Sequence, residues 1–159
     1  MKIPRSQKNI QTYNSCICSY PPDKQATAKK HYNVVAGILV HAGKFLCMQR
    51  GEGKYAYTSF KFEFPGGKVE PGETRPQALM RELREELEKE TCITEDMFFM
   101  TVEHEYPDFS ITLHCYVVPV ESPDLVLKEH ASMVWLPKEE LDRLDWAAAD
   151  AAIISRLMQ

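Results

Sequence analysis

Residues Phe64 to Leu87 read FPGGKVEPGETRPQALMRELREEL. Pro65-Gly66-Gly67 opens the stretch as a turn, and its glycines let backbone approach a ligand where bulkier residues would block it. Thr74 followed by Gln77 is a capping-box pattern, and Pro76 suits a first helical turn, whose amide donors lack partners anyway. Leu79, Leu83 and Leu87 then recur every four residues, with Ala78 and Met80 alongside. That spacing predicts a helix with one buried apolar stripe. Glu82, Glu85 and Glu86 stand three and four residues apart and share a different face.

Three carboxylates within one turn repel one another, and without a compensating charge one of them tends to hold a proton. Mg2+ or Mn2+ supplies such a charge through oxygen ligands. Taken alone, RELREEL also reads as a solvated helix face balanced by Arg81, Arg84 and Lys89. The loop in front tips the reading towards a metal. Glu73 lies nine residues before Glu82 and adds a carboxylate near the helix start, and Gly72 permits the sharp turn needed there.

Working outward, Asn33–Val40 and Phe45–Arg50 read as strands joined by the turn His41-Ala-Gly-Lys44, a hairpin signature. Residues 51–60 (GEGKYAYTSF) have loop composition, and Lys61–Phe64 alternates as a short strand feeding the Pro-Gly-Gly turn. Beyond the helix, Met97–Glu105 and Ser110–Val120 form a second hairpin around Tyr106–Phe109. A short strand is expected over Asp124–Lys128 and another over Ser132–Leu136. A short helix starts at Pro137, and Ala147–Met158 closes the chain as a helix with Ile153, Ile154 and Leu157 facing inward. This interleaving predicts an α/β fold, a mixed sheet sandwiched between helices. Residues 1–30 lack periodicity and are expected to be an N-terminal extension, with at most a weak strand at 13–20; residues 31–159 form the domain.

The whole chain has 159 residues, enough for one domain with its own core. A formal net charge of -4 argues against gripping long nucleic acid through its backbone. No apolar run approaches a signal peptide or a bilayer span. Five irregularly spaced cysteines, two of them in strand-like runs, point to reduced thiols and a cytoplasmic compartment, and the lone Cys16-x-Cys18 lacks a second ligand pair for zinc.

Gly67, Glu73, Arg81, Glu82, Leu83, Glu85 and Glu86 match the pattern G-x5-E-x7-R-E-U-x-E-E-x-G-U of the Nudix box, with U aliphatic. The chain therefore resembles the Nudix hydrolases, and the resemblance implies the α/β/α Nudix fold. One position departs: the box's last glycine is Glu88 here, and Lys89 holds the final apolar place. That glycine normally stops the helix in a left-handed cap, so the helix is expected to run on for up to about a turn.

By the resemblance, Glu82, Glu85, Glu86 and the Gly66 carbonyl hold the metal, and Glu73 braces the site through Arg81. The implied chemistry is water attack on a phosphorus of a nucleoside diphosphate-X compound. Lys68 is either a phosphate or carboxylate partner or a solvated lysine. The stretches VVAGILVHAGKFLCMQR and EHASMVWLPKEELDRLDWAAAD make the chain similar to the MutT-type branch, most of all to bacterial CTP pyrophosphohydrolases. There a glutamate after the sheet joins the metal or acts as general base, and Glu129 stands at the matching place. His130 beside it is read as structural.

Base recognition is expected to draw on Arg50, Phe64 and Asp150. Phe64 stacks or packs; Asp150 reads a base edge or serves as an acid at a helix N-terminus. The implied partner is a small nucleotide, the base being open between cytosine, methylated cytosine and oxidised purine, and the protein a monomer or homodimer. Two other readings stand beside this one. Tyr106 and Pro107 sit where some hydrolases of ADP-ribose or dinucleoside polyphosphates carry marker residues. A nucleotide-sensing module without catalysis is the other, although such modules usually lack the glutamates present here.

Overall fold

The computed structural model describes residues 28–159. Expectations about residues 1–27, including the strand at 13–20, lie outside the described residues. Among those described, the strands are β1 (Lys30–His41), β2 (Lys44–Gln49), β3 (Phe62–Glu63), β4 (Gly66–Lys68), β5 (Phe98–Glu105), β6 (Phe109–Pro119) and β7 (Ser132–Pro137). The helices are α1 (Arg75–Leu87) and α2 (Ala148–Leu157), with 3-10 turns over Glu95–Met97 and Lys138–Arg143. No described helix is long and apolar enough to cross a membrane.

The strands form one mixed sheet in the order β3-β2-β1-β6-β5, with β4 added to β1 and β7 to β2. Its centre is the parallel pair β1 and β6, in register from Lys30 against Phe109 to Val40 against Pro119. Because successive side chains of a strand point to opposite faces, β1 feeds two cores. Val35 and Leu39 join Leu79, Leu83 and Leu87 of α1, while Ala36 and Ile38 join Ile153 and Ile154 of α2. Both faces are thus covered, as the α/β/α reading required.

Three details differ from the sequence reading. The β1–β2 hairpin is paired only at Val40–Phe45 and His41–Lys44, after which β2 turns away to pair with β3 and β7. Into the space it leaves, Gly66–Lys68 inserts as β4 against Val34–Ala36. The Pro-Gly-Gly segment is therefore half turn and half strand. It comes so close to β1 that any Cβ at Gly66 would collide with the Val35 carbonyl.

The end of α1 is the second difference. The Thr74–Gln77 capping box forms and the leucine stripe is buried, but the helix stops at Leu87. Glu88 itself takes the left-handed conformation (φ 50°, ψ 33°), its amide bonding the Arg84 carbonyl and that of Lys89 the Leu83 carbonyl. A non-glycine residue performs the stop, so the predicted extra turn does not form.

The third difference explains the second. Residues 124–128 form no strand. Val126 donates its amide to the Leu87 carbonyl and Lys128 to that of Glu86, both at 3.2 Å. These carbonyls belong to the last turn, which has no partners within the helix. The segment satisfies helix ends instead of joining the sheet, and Lys128 adds an ion pair to Glu88 at 2.8 Å.

Candidate active site

Where β2 diverges from β1, a cleft of about 680 Å³ opens. Its lining includes Gly66, Gly67, Lys68, Glu86 and Glu129 at one end, and Arg50, Phe64 and Asp150 at the other. These eight residues, all singled out from the sequence, thus meet in one cavity. Glu82 lies just beneath it, where a Cβ on Gly67 would run into its carboxylate. Glu73, Arg81 and Glu85 stand behind, outside the lining.

The charge at the first end is concentrated. Glu86 is buried, and its Oε2 accepts from the Gly66 amide at 3.1 Å. Burial, followed by the charges of Glu82, Glu63 and Glu129, pushes its carboxyl up to about 8. Burial also raises that of Glu82, against the pull of Arg81 and with the push of Glu85 and Glu129. Arg81 ties the rear together. Its Nε and Nη2 donate to the two oxygens of Glu73 at 2.6 and 3.0 Å, and Nη1 donates to Glu82 at 2.8 Å and Glu85 at 3.3 Å. This bidentate contact, with the Glu70 amide donating to Glu73 Oε2 at 3.0 Å, holds the Glu73 carboxyl down at about 2. Nη2 also reaches the Lys68 carbonyl at 3.0 Å, linking α1 to the loop above it.

Glu129 arrives by the route that ends the helix. The Lys128 amide is bonded to the Glu86 carbonyl, so the next residue is delivered beside Glu86. Among the described residues no three acidic, histidine or cysteine side chains converge tightly enough to hold an ion as they stand. Part of the reason is visible: Glu82 is drawn to Arg81 and Glu86 to the Gly66 amide. The donors are nonetheless hard carboxylate oxygens that raise one another's pKa, and in kind they fit a divalent cation of the Mg2+ or Mn2+ type.

The second end is held by the chain around β3. Phe62 bonds Asp145 and Ala147 through its backbone at 2.8 Å each, fixing the start of α2 against the sheet. Asp150, in the first turn of α2, then accepts from the Phe64 amide at 2.9 Å. Its burial, with the charge of Glu63, raises the carboxyl to about 8. Phe64 itself is buried, with its ring 5.0 Å from that of Trp146. Lys68 has its Nζ 4.0 Å from the centre of the Tyr32 ring.

Glu63 and His130 also line the cleft, and the sequence reading gives neither a functional role. Glu63 accepts from His130 Nε2 at 2.8 Å and pairs with Arg50 at 3.4 Å, bridging the two ends. The alternation of Lys61-Phe-Glu-Phe64 put Glu63 on a strand face opposite Phe64, but nothing local says which face meets the cleft. His130 was read as structural, and its Nδ1 is buried without a partner.

The geometry is that of one cleft, with carboxylates at one end and Asp150 at the other. The NUDIX domain family model matches residues 34–156. The chain is 37% identical to the CTP pyrophosphohydrolase of Escherichia coli (strain K12) over 129 residues, 81% of this chain and 93% of that protein. It is 33% identical to the 8-oxo-dGTP diphosphatase of the same organism over 130 residues, 80% and 97% of the two chains. The solution structure of the E. coli ORF135 protein superposes with a TM-score of 0.69 at 37% identity, covering 82% of this chain and 90% of that one. The chain belongs to the Nudix family, as a MutT-type hydrolase.

Proposed function

We propose that the protein hydrolyses a nucleoside triphosphate, or a modified deoxynucleoside triphosphate, to the monophosphate and pyrophosphate. The observation that carries this is the single cleft that joins the carboxylates at Gly66–Gly67 to the buried Asp150. A triphosphate needs the first end and a base the second. The relatives named for CTP and for 8-oxo-dGTP fit the same division and leave the base open between a cytosine and an oxidised purine.

In this reading Glu82, Glu85, Glu86 and the Gly66 carbonyl hold a divalent cation, Mg2+ with Mn2+ able to substitute. Glu129 either completes that set or takes the proton from the attacking water. When bound, the cation neutralises the phosphate oxygens and supplies Lewis acidity. The chain's own residues do the rest. Arg81, locked on Glu73, holds Glu82 in place from behind. Lys68 meets the phosphate oxygens at the mouth. Water adds to phosphorus as the bond to the leaving pyrophosphate breaks, and a carboxylate beside the phosphates accepts the water's proton. Arg50, Phe64 and Asp150 receive the base, Asp150 offering its carboxyl to an exocyclic amino group or a purine edge.

The test is pyrophosphate release in Mg2+ from a panel of nucleoside triphosphates, deoxynucleoside triphosphates and their methylated and oxidised forms. Release from at least one, lost on adding a chelator, is the expected result. No release from any of them, with turnover of ADP-ribose or a dinucleoside polyphosphate instead, would move the protein to another branch of the family's substrates.

A further inference from the structure

Four aromatic rings on one side of the cleft close into a cycle that the reading above leaves unused. Tyr55 stacks on Tyr57 with ring centres 5.2 Å apart, and Tyr57 on Tyr106 at 5.6 Å. Tyr106 then meets Phe109 at 4.9 Å, and Phe109 meets Tyr55 at 5.6 Å. The cycle joins the loop between β2 and β3 to the turn between β5 and β6, and Tyr57 locks it by donating its hydroxyl to Asp108 at 2.8 Å. Tyr57 stays behind, whereas Tyr55, Tyr106 and Phe109 line the cavity.

The position of this wall says what it meets. At its inner edge the Tyr106 hydroxyl accepts from the Ala149 amide at 3.2 Å, one residue before Asp150. Tyr106 is buried, whereas Tyr55 and Phe109 are half-buried, with the exposed Lys54 Nζ 5.1 Å from the centre of the Tyr55 ring. A planar group whose edge reaches Asp150 therefore has aromatic side chains beside it. Aromatic side chains hold bases by stacking, because every base has a π-face.

We propose that Tyr55 and Phe109 are substrate-binding residues that hold the substrate's base by its face while Asp150 meets its edge. The proposal rests on the nucleotide reading of the cleft. It assigns to the loop 51–60 a share of substrate affinity and none of the chemistry.

The test compares wild type, Tyr55→Ala and Tyr55→Phe in two measurements: KM and kcat for the best nucleoside triphosphate, and inhibition by inorganic tripolyphosphate. Tyr55→Ala is expected to raise KM on the order of tenfold, in line with the worth of one stacked base. Its kcat and its inhibition by tripolyphosphate stay near wild type, and Tyr55→Phe restores KM. A parallel loss for nucleotide and tripolyphosphate, or no change in KM, overturns the proposal. If the wild type cleaves no nucleoside triphosphate, the proposed function falls on its own. The wall is then tested by tryptophan fluorescence on titration with nucleoside monophosphates: weaker binding in Tyr55→Ala upholds it, and equal or absent binding overturns it.

Discussion

The two ends of the cleft are built in opposite ways. The carboxylate end comes almost wholly from one continuous stretch, Gly66 to Glu86, in which a helix and its preceding loop set every spacing. The base end is assembled from β1, the loop after β2, β3, the β5–β6 turn and α2, segments up to about a hundred residues apart. Helical periodicity fixes the spacing of the first end's carboxylates, whereas the second end exists only once the sheet has formed. The reaction and the choice of substrate are therefore separable, and substitutions at the two ends should fail differently.

The largest effect is expected at the local end. Glu86→Gln removes a charge from the cluster without changing its shape, and kcat should fall on the order of 10³-fold, the rate equivalent of several kcal/mol of lost charge stabilisation. Its far-ultraviolet circular dichroism should remain that of wild type. Gly67→Ala should be next, because the added methyl collides with the Glu82 carboxylate. Displacing that group should cost on the order of 10²-fold in kcat/KM, with the fold intact. A variant with normal turnover would mean that Glu82 is not held where the cluster needs it.

At the base end the readable quantity is pH dependence. The folded-state carboxyl of Asp150 lies at about 8, above the ordinary carboxylate value, because the group is buried and near Glu63. A raised carboxyl favours the protonated folded state. Its stability contribution is thus complete below the unfolded pKa of ~4 and is lost as pH rises through about 8. Asp150→Asn keeps an acceptor for the Phe64 amide and removes the titration. Measured without metal, its Tm should match wild type near pH 4 and exceed it at pH 9 on the order of 5 °C. A constant difference across that range would contradict the burial argument.

The smallest effect is at the helix end. Glu88 occupies the left-handed region at a cost of roughly 1 kcal/mol for a residue with a side chain. Its ion pair with Lys128 is half-exposed and returns little. Glu88→Gly should therefore raise Tm by about 2–4 °C and leave kcat unchanged.

Legibility follows the same division. The capping box, the leucine stripe, the second hairpin and both helices were readable because each is set by neighbours in sequence. The stop at Glu88 was not, since residues 124–128 terminate the helix from nearly forty positions away. For the same reason those residues, β-like in composition, form no strand: their amides serve α1. The Pro-Gly-Gly segment was legible as a close approach, but its pairing with β1 depends on β2 turning away. Glu63 and the tyrosines of loop 51–60 are ordinary residues in sequence, and only the β3–α2 and loop–turn contacts aim them at the cleft.

The central claim is that one end of the cleft cleaves and the other selects. Pyrophosphate release from the full nucleotide panel, measured for wild type, Glu86→Gln and Asp150→Asn, tests it directly. Glu86→Gln should lower kcat/KM for every substrate by the same factor, while Asp150→Asn should change the ratio between the best and second-best bases on the order of tenfold or more. If Asp150→Asn scaled all substrates equally, or Glu86→Gln altered their ranking, the division of the cleft would be contradicted.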